Sequence, residues 1–308
     1  MKIITVFKTH FDIGYTKLSR EVVEMYGKKM IKDVIATCEG TRKNGKGLQY
    51  VWTMSSWPLK KTLETASEED RIKAEELIRN GQLYWHGLPF TTHTEFLTKD
   101  ELEHGCKIAK ELSEKYGVKA PVSAKMTDVP GHAIGLVEVL VNNGIGFLHL
   151  GCNPASTPPD VPELFWWENK RGQRVLVMYN KTYGSSILPP KNWKYPVYLA
   201  MQQTNDNIGP QGAECIENLL RELPKGYEMT VGTMDDFYEE IMKCDLSDLP
   251  VVRQDLGDTW IHGVGTYPKE VSMLRRARNK LPLIREYCKE HNLPEEELLK
   301  PYYDNILL

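Results

Sequence analysis

The chain has 308 residues, enough for one large α/β barrel or two medium domains. A hydrophobic content of 41% with 26% charged residues is ordinary for a folded globular protein. A net charge of −3 gives no reason to expect nucleic acid or an anionic membrane as partner, and no apolar run approaches the roughly 20 residues of a membrane span.

The chain opens on KIITVFK (2–8), a continuous apolar run that reads as a buried strand. It is too short for a secretory signal and meets His10 and Asp12 at once. Ser19 is read as the cap of a helix ending near Glu39–Gly40. QYVWTMS (49–55) is strand-like. Ser67 then opens EEDRIKAEELIR as a helix, and Asn80–Gly81 stops it. LYWHGLP (83–89) is a strand. Thr98 with Glu101 forms a capping box for a helix running to about Tyr116. SAKMTDV (123–129) is a strand, and AIGLVEVLVNN a helix closed by Gly144. FLHLG (147–151), RVLVMYN (174–180), YLAMQQ (198–203) and EMTVGT (228–233) read as strands, with helices near 211–223 and 234–243. Trp166–Trp167 are read as packing an inserted loop.

This alternation implies parallel βαβ units, in an open doubly wound sheet or a closed barrel. No nucleotide-binding glycine motif follows any strand. The six cysteines are scattered, with no C-x-x-C pair, which points to reduced thiols in a cytoplasmic protein.

The polar residues fall at one end of these strands. His10 and Asp12 follow the first strand, Trp57 the second, and His86 and His93 the third. Asp128 ends the fourth, Asn153 follows the fifth, and Asp206 follows YLAMQQ. That is the carboxyl end, where β/α barrels build active sites. His10, Asp12 and Asp128 offer one imidazole and two carboxylates, donors that suit zinc or another divalent ion. The plainer alternative makes His10 and Asp12 turn residues and Asp128 a hydrogen-bonded loop carboxylate.

THFDIGYT (9–16) resembles the His-x-Asp-x-Gly-aromatic opening of glycoside hydrolase family 38, the α-mannosidases. TDVPGHAIG (127–135) resembles that family's nucleophile segment, and NDNIGP (205–210) its acid/base segment. VWTMSSWPL, IRNGQLYWHG and GDTWIHGVGTYPK (257–269) resemble further stretches in family order, in the manner of a divergent branch. Tyr15 stands where the family usually has Trp, and Val129 and Pro130 replace Pro-Phe after the nucleophile.

The resemblance implies a seven-stranded (β/α) barrel of the glycoside hydrolase/deacetylase type. It makes His10 and Asp12 two zinc ligands, with side-chain heads a few ångströms from that of Asp128. It makes Asp128 both zinc ligand and nucleophile, and Asp206 the general acid/base, with Asp236 and Asp258 next in line. A retaining glycosidase needs its two carboxyl groups roughly 5–5.5 Å apart. Trp57, Trp85 and Trp260 are expected as stacking platforms for apolar sugar faces. His86 and His93 either meet substrate hydroxyls or are hydrogen-bonded loop histidines. His132 is expected behind the nucleophile and His262 on substrate, whereas His104, His149 and His291 are read as structural or solvated. The partner is then a carbohydrate. The rival readings are a metal-dependent deacetylase or amidase, and a carbohydrate-binding remnant without turnover.

The barrel is expected over 1–265 and a helical segment over 266–308. The final KPYYDNILL reads as a strand just beginning, so the chain is expected to be the N-terminal part of a longer enzyme, cut before a fourth, histidine ligand.

Overall fold

The computed structural model of the chain describes residues 1–43, 47–257 and 260–306, without the side chains of Lys43, His262, Asn305 and Ile306. The apolar run at the start forms β1 (Lys2–His10). It is followed by α1 (Ser19–Met25), a π turn at Tyr26–Met30 and α2 (Ile31–Lys43). Next come β2 (Trp52–Ser55), α3 (Ser56–Thr65), α4 (Glu68–Arg79), β3 (Leu83–His86), α5 (Lys99–Tyr116), β4 (Ser123–Asp128), α6 (Gly135–Asn142) and β5 (Phe147–Cys152). The chain continues through β6 (Leu164–Glu168), β7 (Arg174–Asn180), β8 (Val197–Asp206), α7 (Cys215–Glu222), β9 (Glu228–Val231), α8 (Met234–Ile241) and β10 (Val251–Val252). Two further helices, α9 (Pro268–Glu290) and α10 (Glu295–Ile306), follow.

The helix boundaries follow local chemistry. Ser67 Oγ accepts from the Asp70 amide and caps α4, leaving one fewer orphan donor at its start. Thr98 and Glu101 form a capping box on α5, and Gly117 ends that helix at φ +66°, where a glycine has no Cβ to clash. Ser19 is the first residue of α1 rather than its cap. Leu18 stands at the cap, its backbone N–H bonded to the Glu21 carboxylate.

The strands fall into two five-stranded sheets. One has the order β3-β2-β1-β8 with β9 also paired to β1, and the other β10-β6-β7-β5-β4. Their ladders are parallel except for the antiparallel β6–β7 pair. The sheets meet at two seams. Gly87 N donates to Ser123 O at 2.9 Å, joining the end of β3 to the start of β4. Ser185 N donates to Met201 O at 2.9 Å, joining the segment after β7 to β8. Among the described residues the barrel-type wall is therefore built from two curled sheets that meet at these seams. β6, the LFWWE run, is a true strand on the outside of β7, and Trp167 is fully buried there.

Strands covered on both faces explain the near-continuous apolar runs. The largest apolar core lies between β1, β2, β3, β8 and the helices α1–α5, and a second lies between β4, β5, β7 and α6. Polar side chains are also sealed inside, among them Lys8, His86, Lys125 and His149. Such groups are tolerated only when hydrogen-bonded, and this polar layer lies beneath the carboxyl ends of the strands.

Candidate active site

β1 and β8 run in register until a slip between Thr9 and His10, which sets His10 opposite Asp206. The bulge brings His10 Nε2 to 3.5 Å from Asp206 Oδ1. Asn207, with φ +54°, then fixes the loop that carries Asp12. Its amide donates to Asp12 O and Thr16 Oγ1, both at 2.7 Å, and its carbonyl accepts from Asp12 N at 3.1 Å. Asp12 Oδ2 accepts from Thr16 N at 3.1 Å.

Across the barrel, Asp128 ends β4 with φ +86°, a region that L residues with a Cβ enter only under strain. Two donors converge on its Oδ1, the Tyr183 hydroxyl at 2.6 Å and Asn153 Nδ2 at 2.9 Å. The Tyr183 ring packs against the His10 imidazole at a tilt of 52°, with centroids 4.8 Å apart.

Electrostatics separates these groups. Burial pushes the Asp206 carboxyl above the usual range, and the negative charges of Asp12 and Asp128 push it further. Burial, aided by Lys8 and Lys125, lowers His10 to about 3. The imidazole is therefore neutral near pH 7, and its contact with Asp206 is not an ion pair. Lys8, lowered by burial to about 7, donates from Nζ to Thr9 O at 3.2 Å.

The structure thus brings His10, Asp128 and Asp206 into one neighbourhood, with Asp12 near enough for its charge to act on Asp206. Among the described residues, no three or more His, Cys, Asp or Glu side chains stand ready as a group to hold a metal ion. The donor types fit a divalent cation, because His10 is neutral and the Asp206 carboxylate lies 3.5 Å from it. The shell is not assembled: Oδ1 of Asp128 is engaged by Tyr183 and Asn153, and Oδ2 of Asp12 by Thr16.

The other candidates are placed differently. Trp57 is only 6% exposed and packs edge-on against Phe11 and Phe90 at the start of α3, and it lines a cavity with Lys60, Lys61 and His104 rather than the groove beside Asp206. Trp85 is 2% exposed, with Nε1 bonded to Ala109 O, and belongs to the core. His86 is fully buried below the site, with Nε2 3.1 Å from Ser55 Oγ. His132 is fully buried, its Nδ1 3.4 Å from Thr94 Oγ1 and its backbone bridged to Leu256. Burial lowers it to about 3, with His93 nearby adding to the shift. His93 and Trp260 form a separate pair of rings 6.5 Å apart. The side chain of His262 and all of Asp258 lie outside the described residues. Asp236 is bound within the cap of α8, where its carboxylate accepts from Thr233.

A groove of about 510 Å³ opens beside Asp206, lined by Asn153, Tyr183, Ser185, Gln203 and Asn205 among others. Tyr183 was not foreseen, since it sits in a loop without pattern; Asn207 lies in the NDNIGP segment singled out above, but only Asp206 was picked from it. Lys8 and Lys125 lie within the runs read as strands, KIITVFK and SAKMTDV, where nothing in the sequence marked them as buried.

No family model matches the sequence, and no curated protein matches it. Solved structures do. An alpha-mannosidase from Enterococcus faecalis V583 is 14% identical with a TM-score of 0.64, over 83% of this chain and 30% of that one. A protein in the Glycosyl Hydrolase Family 38 from Enterococcus faecalis is 12% identical with a TM-score of 0.55, over 82% of this chain and 28% of that one. A 4-alpha-glucanotransferase from Thermococcus litoralis is 14% identical with a TM-score of 0.53, over 97% of this chain and 46% of that one. The chain spans less than a third of the length of the first two. With its parallel sheets and outer helices, the chain has the α/β, (β/α)-barrel-type fold of these three structures.

Proposed function

We propose that the chain carries the catalytic barrel of a metal-dependent retaining glycoside hydrolase acting on α-mannoside-like substrates. The observation that carries this reading is the pair Asp128 and Asp206, set in different environments around a neutral His10. Asp206, pushed up by burial and by two neighbouring carboxylates, is suited to hold a proton and give it to a leaving oxygen. Asp128, with one oxygen held by Tyr183 and Asn153, is suited to attack the anomeric carbon. The likeness of fold to an alpha-mannosidase and to a Glycosyl Hydrolase Family 38 protein supports the substrate class.

Zinc belongs to the proposal: His10, Asp12 and Asp128 would hold it, and it would supply a Lewis acid for sugar hydroxyls. Residues of this chain do the rest. Asn207 orients the Asp12 loop, Tyr183 and Asn153 orient Asp128, and Asp206 moves the proton. Trp260 and His93, at the carboxyl end of the barrel, are proposed to meet the sugar. A cytoplasmic location is proposed from the six cysteines, all free thiols. Among the described residues no helix is long and apolar enough to cross a membrane.

A panel of 4-nitrophenyl glycosides, assayed with and without zinc, tests the reading. Zinc-dependent release from the α-mannoside with retained anomeric configuration is the expected result. Release of acetate from acetylated sugars without glycoside cleavage would move the chain to the deacetylases. Sugar binding without either turnover would make it a binding protein.

A further inference from the structure

Lys125 is 1% exposed, in the middle of β4, and apart from its charge acting on His10 it has been given no role in the chemistry just described. Its Nζ donates to the Tyr183 carbonyl at 3.0 Å and lies 2.9 Å from His149 Nδ1. His149 Nε2 in turn lies 2.7 Å from Asn180 Oδ1, which fits the tautomer with its proton on Nε2. A buried lysine is therefore committed to the backbone of one loop residue, and that residue is the one whose hydroxyl holds Asp128.

The same loop is gripped from its other sides. A Cβ on Gly151 would meet Tyr183 O at 2.6 Å and Thr182 O at 2.8 Å, so β5 accepts the loop only because it has glycine there. A Cβ on Gly184 would meet Met201 O at 2.2 Å. Ser185 exchanges hydrogen bonds with β8, its N donating to Met201 O at 2.9 Å and its Oγ accepting from Met201 N at 2.8 Å. Segment 182–185 is thus wedged into the seam between the two sheets, with Lys125 as its tether from inside the barrel.

We infer that Lys125 is a positioning residue. By holding the Tyr183 carbonyl it sets the Tyr183 hydroxyl on Asp128 and the Tyr183 ring on His10, and so aims the carboxylate. The catalytic part of this inference rests on the reading of Asp128 as nucleophile. The mechanical part does not.

Two measurements separate them. Hydrogen exchange on Lys125→Met should show the amides of 183–185 exchanging at least about tenfold faster, because their inner tether is gone. The melting temperature should fall by a few degrees at most, since Tyr183 O and His149 Nδ1 lose their buried donor while an apolar chain of similar shape fills the space. Lys125→Gln, which keeps an N–H donor, should restore slow exchange in part. Unchanged exchange at 183–185 in Lys125→Met overturns the inference, and Lys125→Leu serves if Lys125→Met does not fold. In turnover of 4-nitrophenyl α-mannoside, Lys125→Met and Tyr183→Phe should each lower kcat/KM roughly tenfold to a hundredfold, the range for losing one hydrogen bond to a charged group. The double variant should be no worse than the poorer single one, because Lys125 acts through Tyr183. Multiplying losses would show that Lys125 acts elsewhere and would also overturn the inference. If the wild-type chain cleaves no glycoside, the proposed function fails, and the exchange measurement alone decides.

Discussion

Replacing Arg278 with Met should unclamp the two C-terminal helices from the barrel. Arg278, on α9, donates from Nε to Glu101 Oε1 at 2.8 Å and from an η nitrogen to Glu101 Oε2 at 2.7 Å. The same η nitrogen donates to Phe96 O at 2.6 Å, and Tyr302 on α10 adds its hydroxyl to Glu101 Oε1 at 2.7 Å. Glu101 itself is 1% exposed, yet it also completes the capping box of α5. Burial alone would push its carboxyl up, but Arg278, Thr98 and Tyr302 outweigh burial and hold it below the usual value. Removing one partner of a buried pair costs about 3–5 kcal/mol. The lower end applies, about 3 kcal/mol, because Thr98 and Tyr302 remain as donors. At about 2 °C per kcal/mol for a chain of this size, the melting temperature should fall by about 6 °C.

The pH dependence carries the sharper test. In the wild type a depressed folded carboxyl contributes stability that is full above the unfolded value, about 4.3, and is lost as pH falls through the folded value. In Arg278→Met burial dominates and the folded carboxyl rises, so the penalty is full near pH 7 and shrinks on acidification. Urea unfolding at pH 7 and pH 4 measures both effects. Glu101→Gln in the Arg278→Met background should recover part of the loss at pH 7. A penalty below about 1 kcal/mol, or one that grows as pH falls, would refute the reasoning.

On the proposed function, Asp128→Asn should abolish turnover and weaken zinc binding together, read by kinetics and by zinc titration. Asp206→Asn should slow cleavage most for substrates with poor leaving groups while leaving zinc uptake unchanged; full activity on such substrates would remove the acid assignment. Gly151→Ala should displace segment 182–185 and lower kcat/KM while the far-ultraviolet spectrum stays intact, and an unaffected kcat/KM would contradict the close approach described above. Ser67→Ala should cost about 1 kcal/mol in urea unfolding through loss of the α4 cap.

What was legible in the sequence is what local chemistry decides. Ser67 and the Thr98–Glu101 box are short-range devices, and both caps are where their residue types put them. β1, β4, β5 and β7 announced themselves as apolar runs, and the polar residues beyond them pointed to one end of the barrel. Long-range pairing was not legible. LFWWE follows a proline-rich stretch and is a strand only because β7 offers it an outer edge, so its tryptophans read as loop packing. KPYYDNILL has the aromatic and β-branched look of a strand, yet 295–306 is helical, with Pro301 inside the helix and Tyr302 and Tyr303 docking on α5 and α9. Trp57 sits at the expected strand end, but the helix that starts there turns its ring into the core. Tyr183 joins the site only through the fold, because a loop of KTYG type carries no periodicity.

Asp128 at φ +86° has a consequence for how this barrel can change. A residue held there strains the backbone by about 1–3 kcal/mol, and glycine would release that strain. The carboxylate also adds to the crowding of negative charge that pushes up Asp206. On both counts the folded chain would be easier to keep without this side chain. Selection for robustness alone, in a laboratory or in a lineage that no longer uses the site, would therefore erode position 128 first. The barrel would remain, without the carboxylate on which the proposed function depends.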